Sequence, residues 1–160
     1  MGVSGSGKTT VGTALAGRLG VEFADADDLH PAANVAKMSR GEPLTDEDRW
    51  PWLDAVAAWL AAHPDAVMSC SALRRRYRDR LRAAGQVVFV HLDGPEPVVA
   101  ERVGHRAGHY MPASLLRSQY QTLEPLRPDE PGVVLPLDQP VDRLVEAAAA
   151  WLQGQPAGER

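Results

Sequence analysis

The run Gly2-Val3-Ser4-Gly5-Ser6-Gly7-Lys8-Thr9 carries the most specific chemistry in the chain. It fits the spacing G-x-x-x-x-G-K-[ST] without mismatch. Glycines let a backbone curl until successive N–H groups point inward at phosphate oxygens. A helix opening at Lys8 adds uncapped N–H groups and the positive end of its dipole. In such a loop Lys8 reaches the outer phosphates of a nucleoside triphosphate, and the Thr9 hydroxyl ligates Mg²⁺. Gly2, Ser4, Gly5, Ser6, Gly7, Lys8, Thr9 and Thr10 are therefore the candidate nucleotide contacts. A flexible Gly/Ser linker is the plain alternative. Against it, Val11, Leu15 and Leu19 recur at helical spacing and supply the helix the motif requires.

A second group of residues follows that helix. Phe23-Ala24-Asp25-Ala26-Asp27-Asp28-Leu29-His30-Pro31 lies at the end of an expected strand, on the carboxyl edge where α/β sheets place ligands. Asp25 and Asp27 are two residues apart and could point the same way from that edge. Two converging carboxylates can serve a Mg²⁺–water shell and a hydroxyl acceptor respectively. Equally, they could be solvated loop acids or caps of the next helix. No N-K-x-D guanine-reading motif is present, which lowers a GTPase reading.

These groups need a scaffold, and the pattern supplies one. Strands are expected at Val21–Ala24, Ala66–Cys70, Val87–Leu92 and Val133–Leu137. Helices are expected at Lys8–Leu19, Asp46–Ala62, Ala72–Ala84, Pro95–Arg106 and Pro140–Leu152. Short apolar strands alternating with helices imply an α/β fold, a parallel sheet covered on both faces. Thr45 followed by Asp46, Glu47 and Asp48 has the form of a capping box. Trp52, Val56, Trp59 and Leu60 then form the expected core stripe, with Pro51 kinking or restarting the helix. A phosphate loop ordinarily follows a strand, yet only Met1 precedes Gly2. In folds of this type that strand is central, so the natural product is expected to begin upstream, with Met1 closing the missing strand.

Composition excludes several classes. The 160 residues are 44% hydrophobic and 24% charged, an ordinary globular balance sufficient for one core. A net charge of −4 offers no overall positive field for nucleic acid or an anionic membrane. No run of about eighteen apolar residues could span a membrane. The single cysteine, Cys70, excludes an internal disulfide framework, fits a reducing cytoplasm, and reads as a buried small residue. Six arginines crowd Arg74–Arg82, where Leu73, Tyr77 and Leu81 share one face. Most of that run reads as solvated helix surface, Asp79 pairing with Arg75; no aromatic platform interleaves to suit nucleic acid. Arg102 and Arg106 lie one turn apart, and taken alone they are cations at an exposed helix end.

Over nearly its whole length the sequence resembles the gluconate kinases, relatives of shikimate kinase. The resemblance rests on the phosphate loop, Asp25-x-Asp27-x-x-His30-Pro31, and Lys37-Met38-x-x-Gly41-x-Pro43-Leu44-x-Asp46. It continues through Asp48-Arg49-x-Pro51-Trp52-Leu53, Cys70-Ser71-Ala72-Leu73 and Tyr77-Arg78-Asp79. Arg106-x-Gly108-His109-Tyr110 and Ser118-Gln119-x-x-Thr122-Leu123-Glu124 complete it. It implies a three-layer P-loop kinase fold over residues 1–153, a lid at about 104–117 and a flexible tail at 154–160. It also implies ATP- and Mg²⁺-dependent phosphorylation of D-gluconate to 6-phosphogluconate by a cytoplasmic protein, a homodimer in many family members. By this resemblance Lys8, Asp27 and Arg106 are catalytic, and Thr9 and Asp25 serve Mg²⁺. Arg102 and Arg106 join the nucleotide contacts, with His109 a structural part of the lid. Asp27, His30, Arg49, Ser71, Arg74 and Arg78 form the acceptor set, the arginines suiting a carboxylate. A shikimate kinase-like enzyme and a non-catalytic ATP-binding relative are the alternatives.

Overall fold

The structure, a computed structural model, describes residues 1–104 and 113–155. In chain order the elements are α1 (Lys8–Leu19), β1 (Glu22–Asp25), a 3₁₀ turn (Ala26–Leu29), α2 (Ala32–Ser39), α3 (Asp46–Ala62) and β2 (Ala66–Ser69). They continue as α4 (Arg75–Arg82), β3 (Phe89–Asp93), α5 (Glu96–Gly104), α6 (Ala113–Thr122), β4 (Gly132–Pro136) and α7 (Val141–Gln153).

All four strands run parallel within their pairs. β1 pairs with β2, Phe23 opposite Val67, and β3 pairs with β4, Val90 opposite Val133. Met1 and Gly2 lie between the pairs. Leu92 N–H donates to Met1 O at 3.0 Å, and Gly2 N–H donates to Ser71 O at 3.2 Å. The phosphate loop therefore starts at the carboxyl edge of the strands, where the ends of β1 and β2 also open.

Two apolar layers cover the strands. Val11 and Leu15 of α1 pack with Leu144, Val145 and Ala148 of α7 on one face. Trp52, Leu53 and Val56 of α3 pack with Tyr77, Leu81 and Phe89 on the other. Each fully buried side chain of this size contributes about 1.5–3 kcal/mol, which holds the helices that carry site residues.

The start of α3 follows its sequence. Thr45 Oγ1 accepts the Asp48 N–H at 3.3 Å, and Asp48 Oδ2 accepts the Thr45 N–H at 2.9 Å, closing the capping box. Lys37 of α2 adds an ion pair to Asp48 at 2.8 Å and is the main cause holding that carboxyl down at about 2. α3 then runs unbroken through Pro51. The proline lies early in the helix, where it forfeits one ladder bond to Glu47 and the cap plus the buried Trp52, Leu53 and Val56 offset it.

Three expectations need correction. Leu53, not Trp59, belongs to the buried stripe; Trp59 is half-buried and stacks on His63 with ring centres 4.0 Å apart. Two helices, α2 and α6, and the 3₁₀ turn were not anticipated. α4 starts at Arg75 rather than Ala72, because Ala72 adopts a positive φ of 43° and breaks any helical path there. The described part of α5 ends at Gly104, and the last two residues of the expected helix, 105 and 106, lie outside the described residues.

Candidate functional site

The phosphate loop is built by backbone conformation. Gly2, Gly5 and Gly7 have φ of 141°, 81° and 97°, values that side-chain-bearing residues rarely adopt. At Gly5 a Cβ would meet Val103 Cγ2 at 2.4 Å, so α5 packs directly on the loop. Gly7 caps α1 without a side chain, so no side-chain cap hydrogen bond closes the first turn. Lys8 Nζ donates to Val3 O at 2.9 Å, folding the lysine back over its own loop. Beside the loop a cavity of about 360 Å³ runs between Arg102 and Val103 on one side and Leu137, Pro140 and Leu144 on the other. Gly5, Ser6, Gly7 and Thr10 form its inner end, so loop, helix terminus and cavity are continuous. This arrangement fits a nucleoside triphosphate, phosphates on the amides and base in the cavity.

Asp25 closes the loop's outer side. Its Oδ2 accepts the Thr9 hydroxyl at 2.8 Å and its Oδ1 accepts the Asp27 N–H at 3.0 Å. Asp25 thus both caps the 3₁₀ turn and stands against Thr9. A hydroxyl and a carboxylate at the mouth of a phosphate loop suit Mg²⁺, which keeps several waters and takes phosphate oxygens. Among the described residues no group of three His, Cys, Asp or Glu side chains could hold a metal. A Mg²⁺ ion here needs the nucleotide's own oxygens.

The turn carries Asp27 and His30 next to Thr9 and Asp25. Asp27 keeps 77% of its side chain exposed. Surrounding protein nevertheless strips water from it, and with the Asp25 charge this raises its carboxyl above the usual value, against the pull of Lys8. His30 is only 4% exposed and stacks on Trp52 with ring centres 4.3 Å apart. Burial, then the Arg49 charge, lowers its pKa to about 4, so it is a neutral ring at pH 7. Its Nδ1 lies 3.4 Å from Asn34 Nδ2, which assigns the proton to Nε2, the nitrogen facing Asp27 at 3.8 Å. His30 therefore offers a polar N–H rather than a cation.

The cation is supplied by α3. Arg49 Nη1 donates to Leu44 O at 2.5 Å and to the Tyr77 hydroxyl at 3.4 Å, its guanidinium lying over the Tyr77 ring at 5.5 Å. Tyr77 in turn donates to Asp46, which also pairs with Arg76. Arg74 is half-buried at the N-cap of α4 and, among the described residues, its side chain has no hydrogen-bond or ion-pair partner. Its charge is felt at Asp46 and Tyr77, which places it on the same rim. Ser71 contributes its carbonyl to Gly2, linking this rim to the phosphate loop.

Arg78 must be removed from the acceptor set. It is 0% exposed and pairs with the equally buried Glu130 at 2.5 and 2.9 Å. Its remaining donors go to the carbonyls of Ala72, Leu73, Glu124 and Pro125. No N–H is left for a ligand. Arg75 is likewise committed, bidentate to Asp129 at 2.9 and 2.6 Å. Cys70 is buried, and burial pushes its thiol up to about 11, so it is inert. Arg106 and His109, with residues 105–112 of the expected lid and 156–160 of the expected tail, lie outside the described residues.

Three contributors escaped the sequence reading. Asn34 fixes the His30 ring and also donates to Asp48 O at 2.8 Å, but sits on the unanticipated α2. Tyr77 shares the apolar face of Leu73 and Leu81, and its hydroxyl also anchors Arg49. Trp52 backs the His30 ring, its indole N–H donating to Ala26 O at 2.6 Å.

Comparison with known proteins agrees with this geometry. A family model described as shikimate kinase matches residues 4–123. Gluconokinase from Gluconobacter oxydans (strain 621H) is 48% identical over 97% of this chain and 90% of its own. The chain belongs to the gluconokinases, within the wider shikimate kinase family. Two crystal structures share its shape. A sugar kinase from Janibacter sp. HTCC2649 is 54% identical with a TM-score of 0.91, covering 98% of this chain and 94% of that one. A gluconokinase from Sinorhizobium meliloti 1021 is 50% identical with a TM-score of 0.90, covering 96% and 89%. The α/β arrangement of parallel strands and flanking helices is thus that of a P-loop kinase. Among the described residues no helix is long and apolar enough to cross a membrane.

Proposed function

We propose that the protein transfers the γ-phosphoryl group of ATP to the terminal hydroxyl of D-gluconate, giving ADP and 6-phospho-D-gluconate. The observation that carries this reading is the Thr9–Asp25 contact at 2.8 Å. It joins the phosphate loop to the turn bearing Asp27 and His30, so one cleft holds donor and acceptor machinery side by side. D-gluconate is a small polyhydroxy anion. Arg49 and Arg74 suit its carboxylate, and the neutral His30 N–H and the Ser71 region suit its hydroxyls.

The chain's own groups divide the work. Gly2 and Ser4–Thr10 cradle the phosphates, and Lys8 swings from Val3 O onto their outer oxygens. Arg102 and Pro140 flank the base, and Arg106 joins the phosphate contacts in this scheme. Asp27 takes the proton of the acceptor hydroxyl as that oxygen bonds to the γ-phosphorus and the bond to the ADP oxygen breaks. Its raised proton affinity favours this transfer. Thr9 and Asp25 would hold Mg²⁺, which when bound neutralises charge on the phosphate oxygens. The reading includes a cytoplasmic homodimer acting through one kinase domain, residues 1–153; sedimentation equilibrium near twice 17.3 kDa is its check.

The test is ADP release with and without D-gluconate, with shikimate as the comparison acceptor. Release that depends on D-gluconate and not on shikimate is expected. Equal release with and without D-gluconate, from folded protein that binds ATP, would overturn the assignment.

A further inference from the structure

The motif Ser118-Gln119-x-x-Thr122-Leu123-Glu124 has no part in the scheme above, yet α6 touches both halves of the site. Near its middle, Gln119 Oε1 accepts the Ser4 N–H of the phosphate loop at 2.6 Å across 115 residues of sequence. One residue on, the Tyr120 hydroxyl donates to Gly94 O at 2.9 Å, pinning the helix to the end of β3. Just past its C-terminal end, Glu124 N–H donates to Leu73 O at 2.8 Å, and Glu124 Oε2 accepts the Arg75 N–H at 2.7 Å. Arg78 clamps the same place, donating to both Leu73 O and Glu124 O. The segment from Leu73 to Arg75 includes Arg74 of the acceptor rim.

We propose that Gln119 is a positioning residue for phosphoryl transfer. Its Oε1 sets the Ser4 amide of the phosphate loop, while the far end of the same helix sets the Leu73–Arg75 loop, so α6 acts as a strut holding donor and acceptor in register. The physical case is the sensitivity of transfer to alignment, where misplacement by about 1 Å can cost about 100-fold. The phosphate loop has few anchors of its own. Its glycines carry no side chains, and Lys8 leaves Val3 O once phosphate is present. A bond from outside the loop to Ser4 therefore restrains the part of the loop that glycine leaves free. The inference rests on the kinase reading above.

The test compares wild type with Gln119→Met, which keeps the side chain's length and removes the acceptor. Expected is a kcat at least 10-fold lower, with KM for D-gluconate changed less than threefold and the thermal midpoint unchanged. ADP released per 6-phosphogluconate formed should rise above one, as water competes for a misaligned phosphoryl group. Glu124→Gln, which keeps an oxygen for the Arg75 N–H, should behave as wild type, whereas Glu124→Ala should raise KM for D-gluconate. Wild-type kcat and coupling in Gln119→Met would overturn the proposal. So would a loss that tracks a lowered thermal midpoint and recovers on cooling. Hydrogen exchange on the wild-type protein is independent of any variant's folding: Ser4 should exchange more slowly than Gly5, and a freely exchanging Ser4 amide would also overturn it. Absence of D-gluconate-dependent ADP release in wild type would sink the kinase reading along with it, whereas a normal wild type beside an unaffected Gln119→Met would sink this proposal alone.

Discussion

The phosphate loop and the proposed acceptor cleft share Thr9 and Asp25 but are built in opposite ways. The loop is one continuous stretch whose shape comes from glycine backbone geometry, and its donors are mostly main-chain N–H groups. The cleft is assembled from side chains on the 3₁₀ turn, α2, α3 and the start of α4, some held by near neighbours, as His30 by Asn34, and others by partners about thirty residues away, as Arg49 by Tyr77 and Tyr77 by Asp46. Backbone amides recognise any phosphate, whereas a cleft of oriented side chains can be specific for one small anion. Donor binding is thus generic and local, and acceptor binding is particular and dependent on packing. Substitutions in the cleft should therefore separate the two substrates kinetically.

The largest expected effect is on chemistry. Asp27→Asn removes the proposed proton acceptor while keeping shape, and kcat should fall by about 100- to 10,000-fold, as for loss of a general base. ATP binding measured by calorimetry should be nearly unchanged. Near-normal turnover would show that Asp27 neither accepts nor orients the hydroxyl. Next comes the clamp behind the cleft. Arg78→Met strands Glu130 without its buried partner and should cost about 3–5 kcal/mol in denaturant unfolding. Arg49→Ala should raise KM for D-gluconate by about 10- to 100-fold, the loss of a charge-assisted contact worth about 1.5–3 kcal/mol, and leave KM for ATP alone. A matching rise in both would dissolve the distinction between the halves. Arg102→Ala should do the reverse, raising KM for ATP several-fold only.

A further effect is in the pH dependence of stability. His30 and His91 are both buried and held down at about 4, so the unfolded chain binds protons that the folded one refuses. Stability should therefore fall as pH drops from about 6.5 to 4, and His30→Asn should flatten part of that slope. The acid limb of kcat/KM should in turn reflect Asp27, with a midpoint above the usual carboxylate range.

How much of this was visible beforehand follows the same division. The loop, α1 and the α3 capping box were legible because their determinants lie within a few residues of each other. The four strands were legible because short apolar runs had no other use. Arg78 was misread because its partner Glu130 lies 52 residues on, with no local sign of it. Its place in the motif Tyr77-Arg78-Asp79 points to an acceptor contact until the buried acid that claims it is found. α2 escaped notice because Ala32–Ser39 has no side-chain cap and buries only Asn34. α6 escaped because its holds on the rest of the fold, Gln119 to Ser4 and Glu124 to Arg75, are tertiary. Trp59 was assigned to the core by helical spacing, but its position near the end of α3 leaves it stacked on His63.

The most direct test of the central claim, that the loop and the cleft form one transfer site, is phosphorus NMR of the wild-type protein with ATP, Mg²⁺ and D-gluconate. One phosphate monoester on the terminal carbon for each ADP formed is the predicted result. ADP with inorganic phosphate and no ester would show that the acceptor cleft does not serve the phosphate loop.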